Sequence, residues 1–136
     1  MSFSEVFASN DAMESKSRNA LGTDLKSCCM NPVTGFFRDG ICRTNESDKG
    51  SHLICAELTS GFLEFSRQRG NDLSTPRPEY GFRGLVAGDR WCLCASRWME
   101  ALEAGVAPRI YIESTHEKML EWTDIETLKR FALDLS

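Results

Sequence analysis

Cys92-Leu93-Cys94 is the segment of this chain whose residue types most directly suggest chemistry. In an extended segment, residues two apart share a face, so both sulfurs would address one metal ion or one substrate. Cys42 and Cys55, added to Cys92 and Cys94, would supply four thiolates, the donor set of a tetrahedral zinc site. His52 and His116 are substitute ligands. Spacing counts against zinc, because zinc modules use paired cysteine knuckles and only one close pair is present. The other chemistry is nucleophilic. Cys94 stands near the start of a predicted helix, with Arg90 and Arg97 flanking it, a setting that favours a thiolate. His52 or His116 could serve as its base. The plainest alternative is structural, since cysteine is often buried and packs as a small hydrophobe.

A second set of polar residues suggests binding. In Gly70-Asn71-Asp72-Leu73-Ser74-Thr75-Pro76, Asn71 offers an amide and Asp72 a carboxylate, although such a loop is also rigid without any ligand. A lone carboxylate gives no acid–base pair, so Asp72 joins Cys94 and His52 only as a catalytic candidate. Arg38-Asp39-Gly40 reads as a turn with an internal ion pair or as an anion contact. Except for Lys49, every basic residue from Arg38 to Arg97 is arginine, whose planar fork suits carboxylate or phosphate. Trp91 either belongs to the core or lines a pocket. The expected ligand-binding set is Arg38, Asp39, Asn71, Asp72, Arg90 and Trp91. It implies a pocket built by Arg38–Thr44, Gly70–Pro76 and Gly88–Cys94, taking a small anionic or polar metabolite.

Three helices would position these groups. Thr59 caps one that carries Phe62 and Phe65 and ends at Gly70. Ala95, Trp98, Met99 and Leu102 follow helical spacing, closed by Gly105 and Pro108. Thr123 with Glu126 forms a capping box ahead of Ile125, Leu128 and Leu135. A shorter turn follows Thr115. His52–Leu58, Arg109–Glu113 and Trp91–Cys94 read as strands, with Thr23–Gly50 and Gly70–Arg90 as long loops that are often functional. Without a βαβ rhythm, the expected fold is a single compact two-layer α+β domain. It has a small, mostly antiparallel sheet covered by about three helices, and two ordered loops. Residues 1–18 read as a mobile tail and 19–136 as the domain.

The 136 residues, 41% hydrophobic and 26% charged, have the make-up of an ordinary globule rather than of collagen, coiled coil or a disordered chain. A net charge of −4 argues against nucleic acid and anionic membrane as partners, and no apolar run is long enough to span a bilayer. The first residues lack a charged and apolar leader pattern, so the six cysteines are expected as reduced thiols in the cytoplasm. No P-loop, dinucleotide-binding glycine fingerprint or serine-hydrolase elbow occurs. A monomer or small homo-oligomer is expected. A non-enzymatic interaction module, using an apolar patch beside Trp122 and Phe131, is the reading from a third class.

The segment Thr34-Gly35-Phe36-Phe37-Arg38-Asp39-Gly40-Ile41-Cys42-Arg43-Thr44 resembles the signature of a bacterial and plant family, the domain of unknown function DUF2237. The likeness continues through Gly50-Ser51-His52 with Cys55, Gly70–Pro76, the Gly88–Trp98 block, Ala107-Pro108 and Thr115-His116. It spans nearly everything from Asn19 to Leu133. The resemblance implies a compact two-layer α+β fold and no particular activity.

Overall fold

The strand β1 (His52–Glu57) pairs antiparallel with β2 (Arg90–Cys94), in a computed structural model that describes residues 17–135. The tail expected over residues 1–18 lies, except for its last two residues, outside the described residues. The register sets His52 against Cys94, Ile54 against Leu93, Cys55 against Cys92, Ala56 against Trp91 and Glu57 against Arg90, with a bulge between His52 and Ile54. Alternation along the strands divides their side chains between two clusters. Ile54, Ala56, Trp91 and Leu93 enter the main core, whereas Cys55 and Cys92 enter a second one with Cys28 and Cys42. Both faces are therefore covered, which is why Leu53 through Ala56 are all buried.

Among the described residues, three α-helices complete the α+β fold. Helix α1 (Ser60–Gln68) starts where the Phe62 N–H donates to the Thr59 hydroxyl at 3.0 Å, buries Phe62 and Leu63, and stops at Gly70 (φ 88°). Helix α2 (Ala95–Glu103) follows directly from β2, burying Ala95, Trp98 and Ala101. Inside the core, the Trp98 indole N–H donates to the Pro108 carbonyl at 3.0 Å and its ring meets Phe131 edge-on at 5.3 Å. Helix α3 (Ile125–Phe131) is capped by Asp124, whose carboxylate accepts from the Thr127 N–H at 2.8 Å. This corrects the expected Thr123–Glu126 box: Asp124 lies one residue nearer the helix and is an equally good cap.

Two further expectations change. Of the strand predicted over Arg109–Glu113, Ile110 forms isolated bridges to Ala56 and Ala132, and Ile112–Ser114 turns into a 3-10 helix. Its neighbours still close the free edge of β1: the Glu57 N–H donates to the Arg109 carbonyl and the Tyr111 N–H to the Cys55 carbonyl, both at 2.9 Å. After Thr115, His116 itself caps the short 3-10 helix Glu117–Glu121, its Nδ1 accepting from the Lys118 N–H at 3.0 Å. Among the described residues, no helix is long and apolar enough to cross a membrane.

Candidate functional site

The antiparallel register delivers His52 and Cys94 to the same end of the sheet, as a facing pair. The Asp48 turn, which precedes β1, completes the arrangement. Asp48 Oδ1 lies 2.6 Å from His52 Nδ1, and Oδ2 accepts from the His52 backbone N–H at 2.9 Å and from Thr44 Oγ1 at 3.0 Å. The Asp48 side chain is wholly buried, while about a third (32%) of the His52 side chain reaches solvent. Burial opposes the charge on Asp48, but the His52 backbone N–H, the imidazole and Thr44 outweigh it and hold the carboxyl below its usual range.

On the far side of the ring lies sulfur. The Cys94 sulfur is the largest influence on His52. Burial opposes it, but with the Cys94 charge and the Asp48 carboxylate it raises the imidazole from 6.5 to about 9. His52 is therefore a cation at neutral pH, held between a sulfur and a carboxylate. Gly50 fits against this pair. A Cβ there would sit 2.8 Å from His52 Cε1, 3.1 Å from Cys94 Sγ and 3.2 Å from His52 Nε2, so only glycine leaves ring and sulfur where they are. Ser51 holds the chain in a left-handed φ of 50°, a cost of roughly 1 kcal/mol for a residue with a Cβ. Its carbonyl accepts from the Ala95 N–H at 2.9 Å, tying the His52 turn to the first turn of α2. Phe36 stacks on the outer face of the imidazole, with centroids 6.3 Å apart and planes at 21°.

The other cysteines are spent differently. Cys28 is joined to Cys55 and Cys42 to Cys92 in two disulfides, with Cα separations of 5.8 and 5.4 Å. This corrects the expectation of reduced thiols. It also corrects the metal set of Cys42, Cys55, Cys92 and Cys94: three of the four are in disulfides, while Cys94 points to His52. The sulfurs of Cys28, Cys42 and Cys55 do lie within 4.8 Å of one another. Cys28, left out of the predicted set, is the residue that completes the cluster. Cys29 and Cys94 are the free cysteines.

The predicted ligand set divides. Arg38 and Trp91 come together, the guanidinium 5.3 Å from the indole centroid, and both line a cavity of about 730 Å³. The remainder turn to their own neighbours. Asp39 pairs with Arg43 at 2.6 Å and accepts from the Ile41 N–H at 3.1 Å. Exposed Asp72 accepts from the Ser74 and Thr75 N–H groups and from the Thr75 hydroxyl. Asn71 closes the end of α1 through its backbone, accepting from the Ser66 hydroxyl at 2.7 Å. Arg90 lies over the Tyr111 ring at 3.9 Å, on the β2 face opposite Trp91. Of the Gly70–Pro76 loop only Leu73 reaches the cavity. Trp122 is 43% exposed, whereas Phe131 turns inward to Trp98. His116 is buried, and burial lowers its pKa below 6.5.

Sequence reasoning selected Cys94 and His52 but missed Asp48 and Gly50. The run Asp48-Lys49-Gly50-Ser51-His52 held the available signal, an acid four residues before a histidine with a glycine between. A family model described as an uncharacterized protein conserved in bacteria (DUF2237) matches residues 18–132. No curated protein matches the chain.

Proposed function

The chain belongs to the DUF2237 family, and on that premise we propose that it is a thiol-dependent enzyme. Cys94 is the nucleophile, His52 its acid–base partner and Asp48 the group that orients the imidazole. The observation that carries this reading is the order Cys94–His52–Asp48: the carboxylate lies 2.6 Å from Nδ1, and Cys94 faces His52 across the sheet, its Sγ and the ring Nε2 both bordering Gly50. A nucleophile, a base within reach and a third group holding the base are the parts of a catalytic triad, whatever fold carries them. Cys94 is also the N-cap of α2, and its side chain accepts no capping hydrogen bond there. The Ala95 N–H is taken by the Ser51 carbonyl, and the first-turn N–H groups beyond it are the donors for a developing oxyanion.

The reaction class that fits is acyl transfer. With the sulfur's proton already on His52, the sulfur attacks a carbonyl carbon, the imidazolium gives that proton to the leaving group as its bond to carbon breaks, and a thioester forms. Water then attacks with one proton passing to His52, the C–S bond breaks, and the acid leaves with the Cys94–His52 pair back in its starting protonation state.

The test is alkylation by iodoacetamide at pH 7, with Cys29 as the internal reference. An ordinary thiol is only about 3% thiolate at pH 7, so holding the thiolate increases the attacking form by at most about 30-fold. Cys94 should react about tenfold faster than Cys29, and His52→Gln should remove most of that advantage. Equal rates at the two cysteines in the wild type, or an unchanged ratio in the variant, would end the proposal.

A second reading, binding of a small anionic or polar metabolite, is favoured by Arg38 and Trp91 sharing one cavity.

A further inference from the structure

The cavity around Trp91 deepens that second reading, on which this inference rests, and needs nothing from Cys94. Its walls come from three places: the Met30–Val33 turn, the Arg38–Trp91 stack, and the Arg77–Arg83 turn with Leu73. Two properties of the lining define the occupant. The first is charge. Among the described residues, Arg38, Arg77 and Arg83 line the cavity and no acidic side chain does. Arg83 is partly neutralised by Asp89 at 3.1 Å, but among the described residues neither Arg38 nor Arg77 takes part in a salt bridge. Arg38 spends one N–H on the Gly35 carbonyl, leaving the rest of its fork. The second property is shape and polarity. Trp91 and Phe82 pack at 5.8 Å, and Tyr80, Pro32, Val33 and Met30 extend the apolar surface to the mouth. Tyr80 is 82% exposed and Met30 60%, large apolar groups left uncovered at the rim.

The other large recess, of about 640 Å³, shows the contrast. There Glu100 pairs with both Arg69 and Arg97, so its arginines are already answered.

We propose that the Trp91 cavity binds a planar aromatic carboxylate. Its ring lies among Trp91, Phe82, Tyr80 and Pro32, and its carboxylate faces Arg38 and Arg77. A volume of about 730 Å³ falls within the range of small-molecule sites, which are mostly apolar with a few fixed polar groups. Arginine supplies the paired donors a carboxylate accepts, and its stacking on Trp91 holds one such fork in place.

Calorimetric titration of the full chain with naphthalene-2-carboxylate tests this, with naphthalene-2-methanol and inorganic phosphate as comparison probes. The carboxylate should bind, the neutral alcohol at least about tenfold more weakly, and Arg38→Gln and Arg77→Gln should each weaken the carboxylate about tenfold. Arg77 is exposed, so its variant should fold even if loss of the Arg38 stack disturbs Trp91. Alcohol binding as tight as carboxylate binding, or indifference to both arginine changes, would overturn the assignment. Phosphate binding that depends on the arginines while naphthoate does not bind would overturn the aromatic class but leave the small-anion reading. Silence from all three probes at millimolar concentration would overturn both.

Discussion

Replacing Cys94 or Asp48 should discharge His52, and the size of the change follows from the site. The imidazole is raised from 6.5 to about 9, a preference for the imidazolium of roughly 3 kcal/mol at 1.36 kcal/mol per pH unit. At pH 7.5 such a group is about 97% protonated, against about 9% for an ordinary histidine. The Cys94 sulfur contributes most and the Asp48 contacts less. Cys94→Ala should therefore lower the His52 midpoint further than Asp48→Asn, and the double variant further still. Asparagine keeps an oxygen able to accept from Nδ1 but turns its NH2 toward the His52 backbone N–H, so the second substitution removes the charge together with one accepted hydrogen bond. The assay is NMR titration of the imidazole C–H resonances from pH 5 to 11, with His52→Gln to assign the signal. Linkage gives an independent check. A base with a raised pKa contributes stability that is complete below pH 6.5 and lost as pH rises through about 9. The stability comparison belongs in the Cys94→Ala background, where Asp48 alone should leave a smaller loss of the same sign. A wild-type midpoint near 6.5, or a midpoint that neither substitution moves, would refute the triad as described.

Gly50→Ala should displace the imidazole or the sulfur, because its Cβ would lie 2.8 Å from His52 Cε1. The preference of iodoacetamide for Cys94 over Cys29 should largely disappear, at a cost of about 1–3 kcal/mol in urea unfolding. Removing the Cys42–Cys92 bridge as the double serine variant opens a loop of 50 residues, for which the chain-entropy estimate is about 4 kcal/mol. The same unfolding experiment reads that loss, and an unchanged midpoint would show that the bridge is not formed. His116 has the opposite pH dependence to His52. Its lowered pKa makes the folded chain resist protonation, so stability should fall as pH drops below 6.5. His116→Asn keeps a capping acceptor without the titration and should flatten the change between pH 7 and 5, a window well above the 3.8 of ordinary aspartates. Trp98→Ala removes a fully buried ring and its bond to Pro108, with an expected loss of roughly 3–5 kcal/mol in the same assay.

Local chemistry settled the parts of this molecule that lie close together in sequence. Thr59, Gly70 and Gly105 mark their helix ends because caps and left-handed turns act within a few residues. The alternation in β1 and β2 is equally local. It placed Cys92 and Cys94 on one face, although the face does not say what each sulfur meets. Where two neighbours could serve equally, as with Thr123 and Asp124, sequence favoured the wrong one.

The pairings across long stretches of chain were decided by tertiary structure. Cys28 bonds Cys55 and Cys42 bonds Cys92 because the Thr23–Gly50 loop folds across one face of the sheet, where the Thr34 hydroxyl accepts from the Cys92 N–H at 2.8 Å. Once those four sulfurs are consumed, Cys94 is left for His52, and only the antiparallel register makes that meeting possible. Arg38 and Arg90 look alike in sequence, yet one faces a cavity and the other an aromatic ring across the sheet. Residue type and spacing determine what a side chain is able to do. Which partner it finds depends on the path of the chain, a global compromise of packing and closure that no short window contains.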